Sequence, residues 1–592
     1  MMTPLVPGVH GEWKSEVRDG MRIAWDVPVE MDDGVVLRAD LFLPVEDGSY
    51  PVILSYGPYA KGLAFQEGYP SAWNQMETEH PDVTAGSTNK YQQWEVVDPE
   101  KWVPHGYACV RVDSRGTGRS PGFVDPFSPR ESLDYFNCIE WAGEALWSNG
   151  KVGLSGVSYY GINQWQVASL QPPHLAAICI WEGAADWYRD MTHHGGIYST
   201  FWHHWYDMQV KSVQYGLGER GPRSVVTGQL VCGDETLSDE ELSARRVDFG
   251  AQILSHPFDD EYHRDRSAVW EQINVPILSA ANWGGQGLHP RGNFEGFARA
   301  ASTQKWLEVH GLWHWTHFYT DYGRELQQRF FDRFLKGNES RWPDEPRVRV
   351  NVRRPGEQFE LREDSDWPLA DTQWTELFLD AEDMALGYDH PAETSHCTYA
   401  AMRDEATFRL LIADEDIEIT GPLAAKLWIS STTDDADLFI VLRLFDPDGE
   451  EVVFRGAVDP HTPIAQGWLR ASHRRLDEAL TLPERPYHTH DRHESLEPGA
   501  VYEVDVEIWP TSIVVPSGYQ LALTVRGSDY EHSGPGFRLS NFKNELKGCG
   551  PFLHDDVASR PPEVFDNEIT IYSGGDYPSH LRVPIIPLPA AQ

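Results

Sequence analysis

The sequence predicts an α/β domain, interrupted by a helical insertion and followed by an all-β domain. Three observations predict it. Short β-like runs alternate with helix-like stretches in the first third and again from about 271 to 342. The stretch between, from about 187 to 270, has helical character and lacks strands. From about 345 onward, apolar and polar residues alternate between Gly, Pro and Asp turns, as in a sandwich or jelly roll.

The elements follow in order. Residues 34–44, "GVVLRADLFLP", and 51–59, "PVILSYGPY", read as strands closed by Gly or Pro. A third strand, in 107–118, ends in the Gly-rich turn "SRGTG". Apolar residues at Leu133, Phe136, Ile139 and Ala142 suit a helix over 131–145. A strand at 151–156, a helix at 163–171 and a strand at 175–183 complete a βαβα rhythm, which argues for a parallel sheet covered on both faces. The rhythm resumes with strands in 275–285 and 305–315 and helices at 294–302 and 323–337. The expected division is 1–186 with 271–342 as catalytic core, 187–270 as a helical cap over a cleft, and 343–592 as a jelly roll.

Composition excludes several functions. At 592 residues the chain is long enough for more than one domain. A net charge of −42 repels nucleic acid and anionic membranes. The six cysteines form no CxxC pair, which suits reduced thiols. No secretory leader and no apolar run of about 18 residues is present, so a soluble, cytoplasmic protein is expected.

The chemistry centres on "KVGLSGVSYYGINQW", residues 151–165. A strand, a tight turn carrying Ser158, then a helix is the geometry of a nucleophile elbow. Gly156 supplies the small residue two positions before the Ser. Two positions after it stands Tyr160 rather than Gly, with Gly161 one later. The helix would aim its N-terminal amides at developing negative charge. Gly-x-Ser alone also suits a structural serine or helix cap.

The neighbouring motifs raise the odds. "SYGPYAKG" (55–62), "DSRGTGRSPG" (113–122) and "EWAGEALWSNGKVGLSGVSYYG" (140–161) come in the order and spacing of the cocaine-esterase and Xaa-Pro dipeptidyl-peptidase family of α/β-hydrolase serine hydrolases. "GAADWYRD" (183–190), the stretch 419–449, "GWLRASHR" (467–474) and "HLRVPIIP" (580–587) resemble that family too. The resemblance implies Ser158 as nucleophile, with the Tyr59 hydroxyl and the Tyr159 amide as oxyanion hole. "EVHGLWHWTHFY" offers His310, His314 and His317 as base. The resemblance implies His314, although the family's Gly-x-Trp-x-His pattern would put the His one residue later, at Trp315.

The family's acid is missing. Where it carries an Asp, this chain reads "AANWGGQGL", with Gly285 at the matching position. Glu182, at the end of "CIWEG", is the first substitute; Asp186 is the runner-up; a dyad or an inert site is the third reading. A His without an oriented carboxylate is a weaker base.

Trp283, Trp313 and Trp165 are candidates for an acyl pocket, with core packing an equal alternative. The His-rich stretches "FWHHWYD" (201–207) and "HTHDRHE" (488–494) lack the spacing of metal ligands on one helix face. "DPDG" (446–449) reads as a hairpin turn. No metal and no cofactor is expected. The reading is a serine hydrolase cleaving a carboxylic ester, or an amide, through a Ser158 acyl-enzyme. Acylase, peptidase or acyltransferase activity is the alternative, and a catalytically silent binding protein the rival from another class. A jelly roll beside a cap would also offer a homodimer surface.

Overall fold

The structure is a computed structural model and describes residues 14–337 and 342–588. Ten strands of the first part are used below: β1 (Lys14–Arg18), β2 (Met21–Glu30), β3 (Val36–Pro44), β4 (Tyr50–Gly57), β5 (Ala108–Asp113), β6 (Ser148–Val157), β7 (Leu175–Trp181), β8 (Ile277–Asn282), β9 (Lys305–His310) and β10 (Val348–Arg354). They lie side by side in the order β1-β2-β3-β5-β4-β6-β7-β8-β9-β10. The pairs among β1, β2, β3 and β5 are antiparallel and the remaining pairs parallel. Every residue of β5, β7-flanking β8 and the last six of β6 is buried, as parallel strands covered on both faces must be. Four helices flank the sheet: α1 (Pro129–Glu144), α2 (Tyr159–Ser169), α3 (Pro290–Arg299) and α4 (Asp321–Leu335).

The first helix begins as its sequence dictates. Ser128 caps it by accepting from the Glu131 amide, and Pro129 occupies the first turn. The expected elements are present, with the helix after Ser158 starting at once rather than at 163. Sequence reading missed the β1–β2 pair and a helix at Pro70–Glu79.

Residues 187–270 form short helical turns, but they also hold a small antiparallel hairpin, His193–His194 with Ile197–Tyr198, in a stretch expected to lack strands. The four strand residues are buried, and backbone contacts tie this hairpin to the C-terminal part through Arg470 N and the Gly195 carbonyl, 2.8 Å apart.

The C-terminal part is mostly strand. Its long strands Ile417–Ser431 and Tyr502–Val515 pair antiparallel across a bulge at Gly421–Leu423. Asp437–Phe445 pairs antiparallel with Gln520–Arg526. Alternate residues of these strands build a second apolar core, separate from the cores on the two faces of the parallel sheet. Among the described residues no helix is long and apolar enough to cross a membrane. All six cysteines are free thiols.

Candidate active site

Ser158 joins β6 to α2 with φ 54° and ψ −116°. A non-glycine residue there is strained, and the strain is held in place by its surroundings. The Ser158 amide donates to the Trp181 carbonyl at 3.0 Å, and its carbonyl accepts from Gly161 and Ile162 at 2.8 and 2.6 Å. The two glycines of the motif are steric requirements. A Cβ on Gly156 would stand 2.3 Å from Tyr160 Cβ, and one on Gly161 would stand 2.8 Å from the Trp181 carbonyl oxygen. Gly161, one place later than the common pattern, is therefore where α2 rides against the end of β7. Gly156→Ala is expected to lower stability by about 1–3 kcal/mol through overpacking, read as a fall in thermal midpoint.

Glu182 directly follows β7, in the left-handed region at φ 47° and fully buried. Its Oε2 lies 2.7 Å from His314 Nδ1. Its Oε1 accepts from Asn282 Nδ2 at 3.2 Å and stands 3.5 Å from His310 Nε2. Burial alone would raise its pKa, but the His314 charge, with hydrogen bonds from His310 and His314, holds it far below the usual carboxylate range. Glu182 thus pairs with the expected His314. Asp186 does not: it caps the helical turn Trp187–Thr192, accepting from Tyr188 and Arg189 amides and the Arg189 guanidinium.

The expected base is placed differently. His314 does not pair with Ser158. Its Nδ1 meets Glu182 and its Nε2 lies 2.8 Å from Glu95 Oε1, so two carboxylates occupy its two nitrogens. Burial would lower its pKa, but Glu182 and then Glu95 override this and push it up to about 10. The histidine facing Ser158 is His289, which sequence reading missed: Nε2 is 3.1 Å from Ser158 Oγ, and Nδ1 is 3.8 Å from Glu182 Oε2. The two imidazoles lie nearly parallel, with centroids 5.1 Å apart. Burial first, then the His314 charge, pushes His289 down to about 3, so its ring is neutral near pH 7. His310 bonds Glu308 at 2.7 Å, and His317 packs on His310.

The loop after β8 packs tightly against the C-terminal part. Gly284 meets the C-terminal part backbone to backbone, since a Cβ there would lie 2.0 Å from Gly456 Cα. The Gly285 amide turns back on the Asn282 carbonyl, and the His289 amide on that of Gly285. This compact loop delivers His289, the residue before Pro290 at the start of α3, to the site.

Tyr59 and Tyr159 flank the serine. Tyr159 is the first residue of α2, so its amide has no intrahelical acceptor. Tyr59 accepts from Trp205 Nε1 at 3.0 Å, leaving its own proton to donate. Burial, then the nearby Glu95 charge, keeps that hydroxyl protonated. The Tyr159 hydroxyl donates to Glu131 at 2.5 Å.

A cavity of about 520 Å³, its mouth included, opens onto Ser158, His289, His314, Glu95, Tyr59 and Tyr159. Its walls are aromatic: Trp94 and Phe127 from the core, Phe201, Trp202 and Trp205 from the insertion, and Phe542 and Phe552 from the C-terminal part. None of the three expected tryptophans lines it. Trp165 packs on Trp270, Trp283 on Phe294 and Trp367, and Trp313 on Trp315. Each is held by its indole N–H, on Gly183, Asn351 and Glu79 respectively. Glu182, His289 and His314 bring donor atoms within 4.8 Å of one another, close enough to consider a cation. The 2.7 Å Glu182–His314 separation is that of a hydrogen bond, so the set is joined by a proton as it stands.

The chain resembles known hydrolases along most of its length. Residues 33–319 match the family model described as X-Pro dipeptidyl-peptidase (S15 family), and 340–582 match the X-Pro dipeptidyl-peptidase C-terminal non-catalytic domain. The chain is 24% identical to the cocaine esterase of Rhodococcus sp. (strain MB1 Bresler), over 95% of this chain and 98% of that protein. It is 21% identical to a putative Xaa-Pro dipeptidyl-peptidase of Bacillus anthracis, over 82% and 78%. A crystal structure of a CocE/NonD family hydrolase from Staphylococcus aureus superposes with a TM-score of 0.82, at 32% identity and over 99% of both chains. An α-amino acid ester hydrolase shares the fold, with a TM-score of 0.66 at 15% identity over 99% and 100%. With a nucleophile elbow, a buried carboxylate and paired histidines behind it, the chain is a serine hydrolase and belongs to the CocE/NonD hydrolase family, with the catalytic and C-terminal domains of X-Pro dipeptidyl-peptidases.

Proposed function

We propose that this protein hydrolyses carboxylic esters with a neutral, aromatic or apolar acyl group, through a Ser158 acyl-enzyme on an α/β-hydrolase core with a helical cap and a C-terminal jelly roll. The observation that carries the reading is the strained Ser158 with Oγ 3.1 Å from a neutral His289. Ser158 Oγ attacks the acyl carbon while its proton passes to His289 Nε2. The oxyanion is held by the Tyr59 hydroxyl and the Tyr159 amide, donors whose placement in a dry site is worth a few kcal/mol. The tetrahedral intermediate collapses as His289 returns the proton to the leaving alcohol, and water then repeats the sequence on the acyl-enzyme. Glu182 stabilises the imidazolium formed on His289. The aromatic walls, with no lysine or arginine lining them among the described residues, favour a neutral acyl group over an anionic one.

The test is labelling by a fluorophosphonate probe, followed by turnover of p-nitrophenyl esters and anilides. Wild type should label once per chain. Ser158→Ala should not label, and its kcat should fall by on the order of 10⁴–10⁶-fold. A wild type that stays unlabelled and inert towards every ester would favour the silent binding protein. Anilides cleaved faster than esters would favour the amidase.

A further inference from the structure

We propose that Glu95 is a positioning residue of the hydrolytic site, acting through His314 to supply the negative charge that lets His289 take the proton of Ser158. This rests on the Ser158–His289 reading above. The geometry is a chain of side chains. Glu95 Oε1 lies 2.8 Å from His314 Nε2, His314 Nδ1 lies 2.7 Å from Glu182 Oε2, and the same oxygen lies 3.8 Å from His289 Nδ1. His289 Nδ1 and Glu95 Oε2 are both buried without a hydrogen-bond partner among the described residues. Glu95 itself is held at φ 63°, and its carbonyl accepts from the Val157 amide, one residue before the nucleophile. A backbone in the left-handed region, stitched to the elbow strand, fixes a carboxylate in the cavity wall where a solvated one could not be placed.

The charges explain what it does. With Glu95 ionised, His314 is an imidazolium between two carboxylates, and the three groups together carry one negative charge. That charge offsets the imidazolium formed on His289 during attack. With Glu95 protonated, the Glu182–His314 pair is neutral. A second imidazolium would then form 5.1 Å from the first with nothing to offset it. Burial pushes Glu95 up to about 7, opposed by His314, so both states are populated near neutrality. The other titratable groups facing Glu95 are Glu182 and the buried tyrosines Tyr59, Tyr69, Tyr160 and Tyr319, whose hydroxyls stay neutral in this range. Glu131, also pushed up to about 7 by burial, faces the Tyr159 hydroxyl instead.

The experiment is the pH profile of ester kcat/KM and of the fluorophosphonate labelling rate, taken as initial rates on enzyme kept at pH 7.5 and jumped into buffers from pH 5.5 to 8.5 so that acid unfolding does not enter, in wild type, Glu95→Gln and Glu131→Gln. Wild type should fall about tenfold per pH unit on the acid side of neutrality, as a single ionisation requires. Glu95→Gln should lower kcat about tenfold or more at pH 8, leave KM within about twofold, and lose the acid limb. Glu131→Gln should keep the limb. A wild-type profile flat from pH 6 to 8 overturns the proposal without needing any variant. So does a limb that survives in Glu95→Gln. Absence of Ser158-dependent labelling in wild type would instead remove the reading on which the proposal stands.

Discussion

Replacing His289 by alanine should cost nearly as much as removing the Ser158 hydroxyl. A loss on the order of 10⁴-fold in kcat is expected, which corresponds to about 5.5 kcal/mol of transition-state stabilisation. The reason lies in the protonation states. A general base must reach the proton and must be neutral when it does so. His289 meets both conditions: Nε2 is 3.1 Å from Ser158 Oγ, and burial keeps the ring uncharged. His314 meets neither, because its nitrogens are taken by Glu182 and Glu95 and these carboxylates keep it protonated past neutrality. His314→Gln should therefore leave measurable labelling of Ser158, slowed because Glu182 loses a hydrogen-bond partner, while His289→Ala should show none above background. The reverse order of damage, with His289→Ala active and His314→Gln inert, would return the role of base to His314. Both variants should be compared at pH 8, where the wild-type site is in its most active ionisation state.

The contrast between the two histidines shows what sequence reading could reach. Ser158, Glu182 and Tyr59 stand at or just past strand ends, and strand ends are legible in a sequence. A run such as "KVGLSGV" or "AAICIWEG" says where a side chain leaves the sheet, and parallel strands all deliver their tips to the same edge. His289 was not legible, because nothing periodic governs the seven-residue turn that carries it. Its signals were a His before Pro290 at a helix start, and the glycine pair Gly284–Gly285 in the turn before it. Glu95 was hidden for a related reason. It lies in an irregular stretch, and only its contact with His314 distinguishes it. The tryptophans failed differently. Trp165, Trp283 and Trp313 are as large and apolar as pocket walls should be, but core and cavity make the same demand on an indole. Three of the cavity's aromatics, Phe201, Trp202 and Trp205, come from "FWHHWYD", a stretch whose adjacent histidines are its more conspicuous feature in sequence.

Through the other His-rich stretch, the protein should lose stability steeply as the pH falls below 6.5. "HTHDRHE" folds against the insertion so that His488 and His490 join His473, His193 and His263 around Tyr188. Tyr188 stacks on His193 at 4.6 Å, and His473 and His490 share a hydrogen bond of 3.1 Å between their Nδ1 atoms, a contact that needs one of them neutral. Burial lowers every member. His263 falls to about 4, His473 and His488 to about 3, and His193 and His490 well below their ordinary value, with Arg189 or Arg470 adding to several of these shifts. Asp260, 3.3 Å from His263, is the main carboxylate working the other way. The sign follows from linkage. Folded pKa values below the unfolded one mean that the unfolded chain binds more protons, so stability is complete above about 6.5 and falls as the pH drops through it. Each such histidine loses about 1 kcal/mol between pH 6.5 and 5.5, and the five together about 5 kcal/mol. The seam joins the insertion to the C-terminal part, and both contribute walls to the cavity, so ester turnover should fail irreversibly at low pH before the parallel sheet melts. Calorimetry at pH 7.5 and 5.5, with wild type and a His473→Phe/His490→Phe double variant, checks this. Wild type should lose several degrees in its first transition, and the double variant markedly less. Equal thermal midpoints for wild type at the two pH values would show that this histidine seam does not govern acid stability.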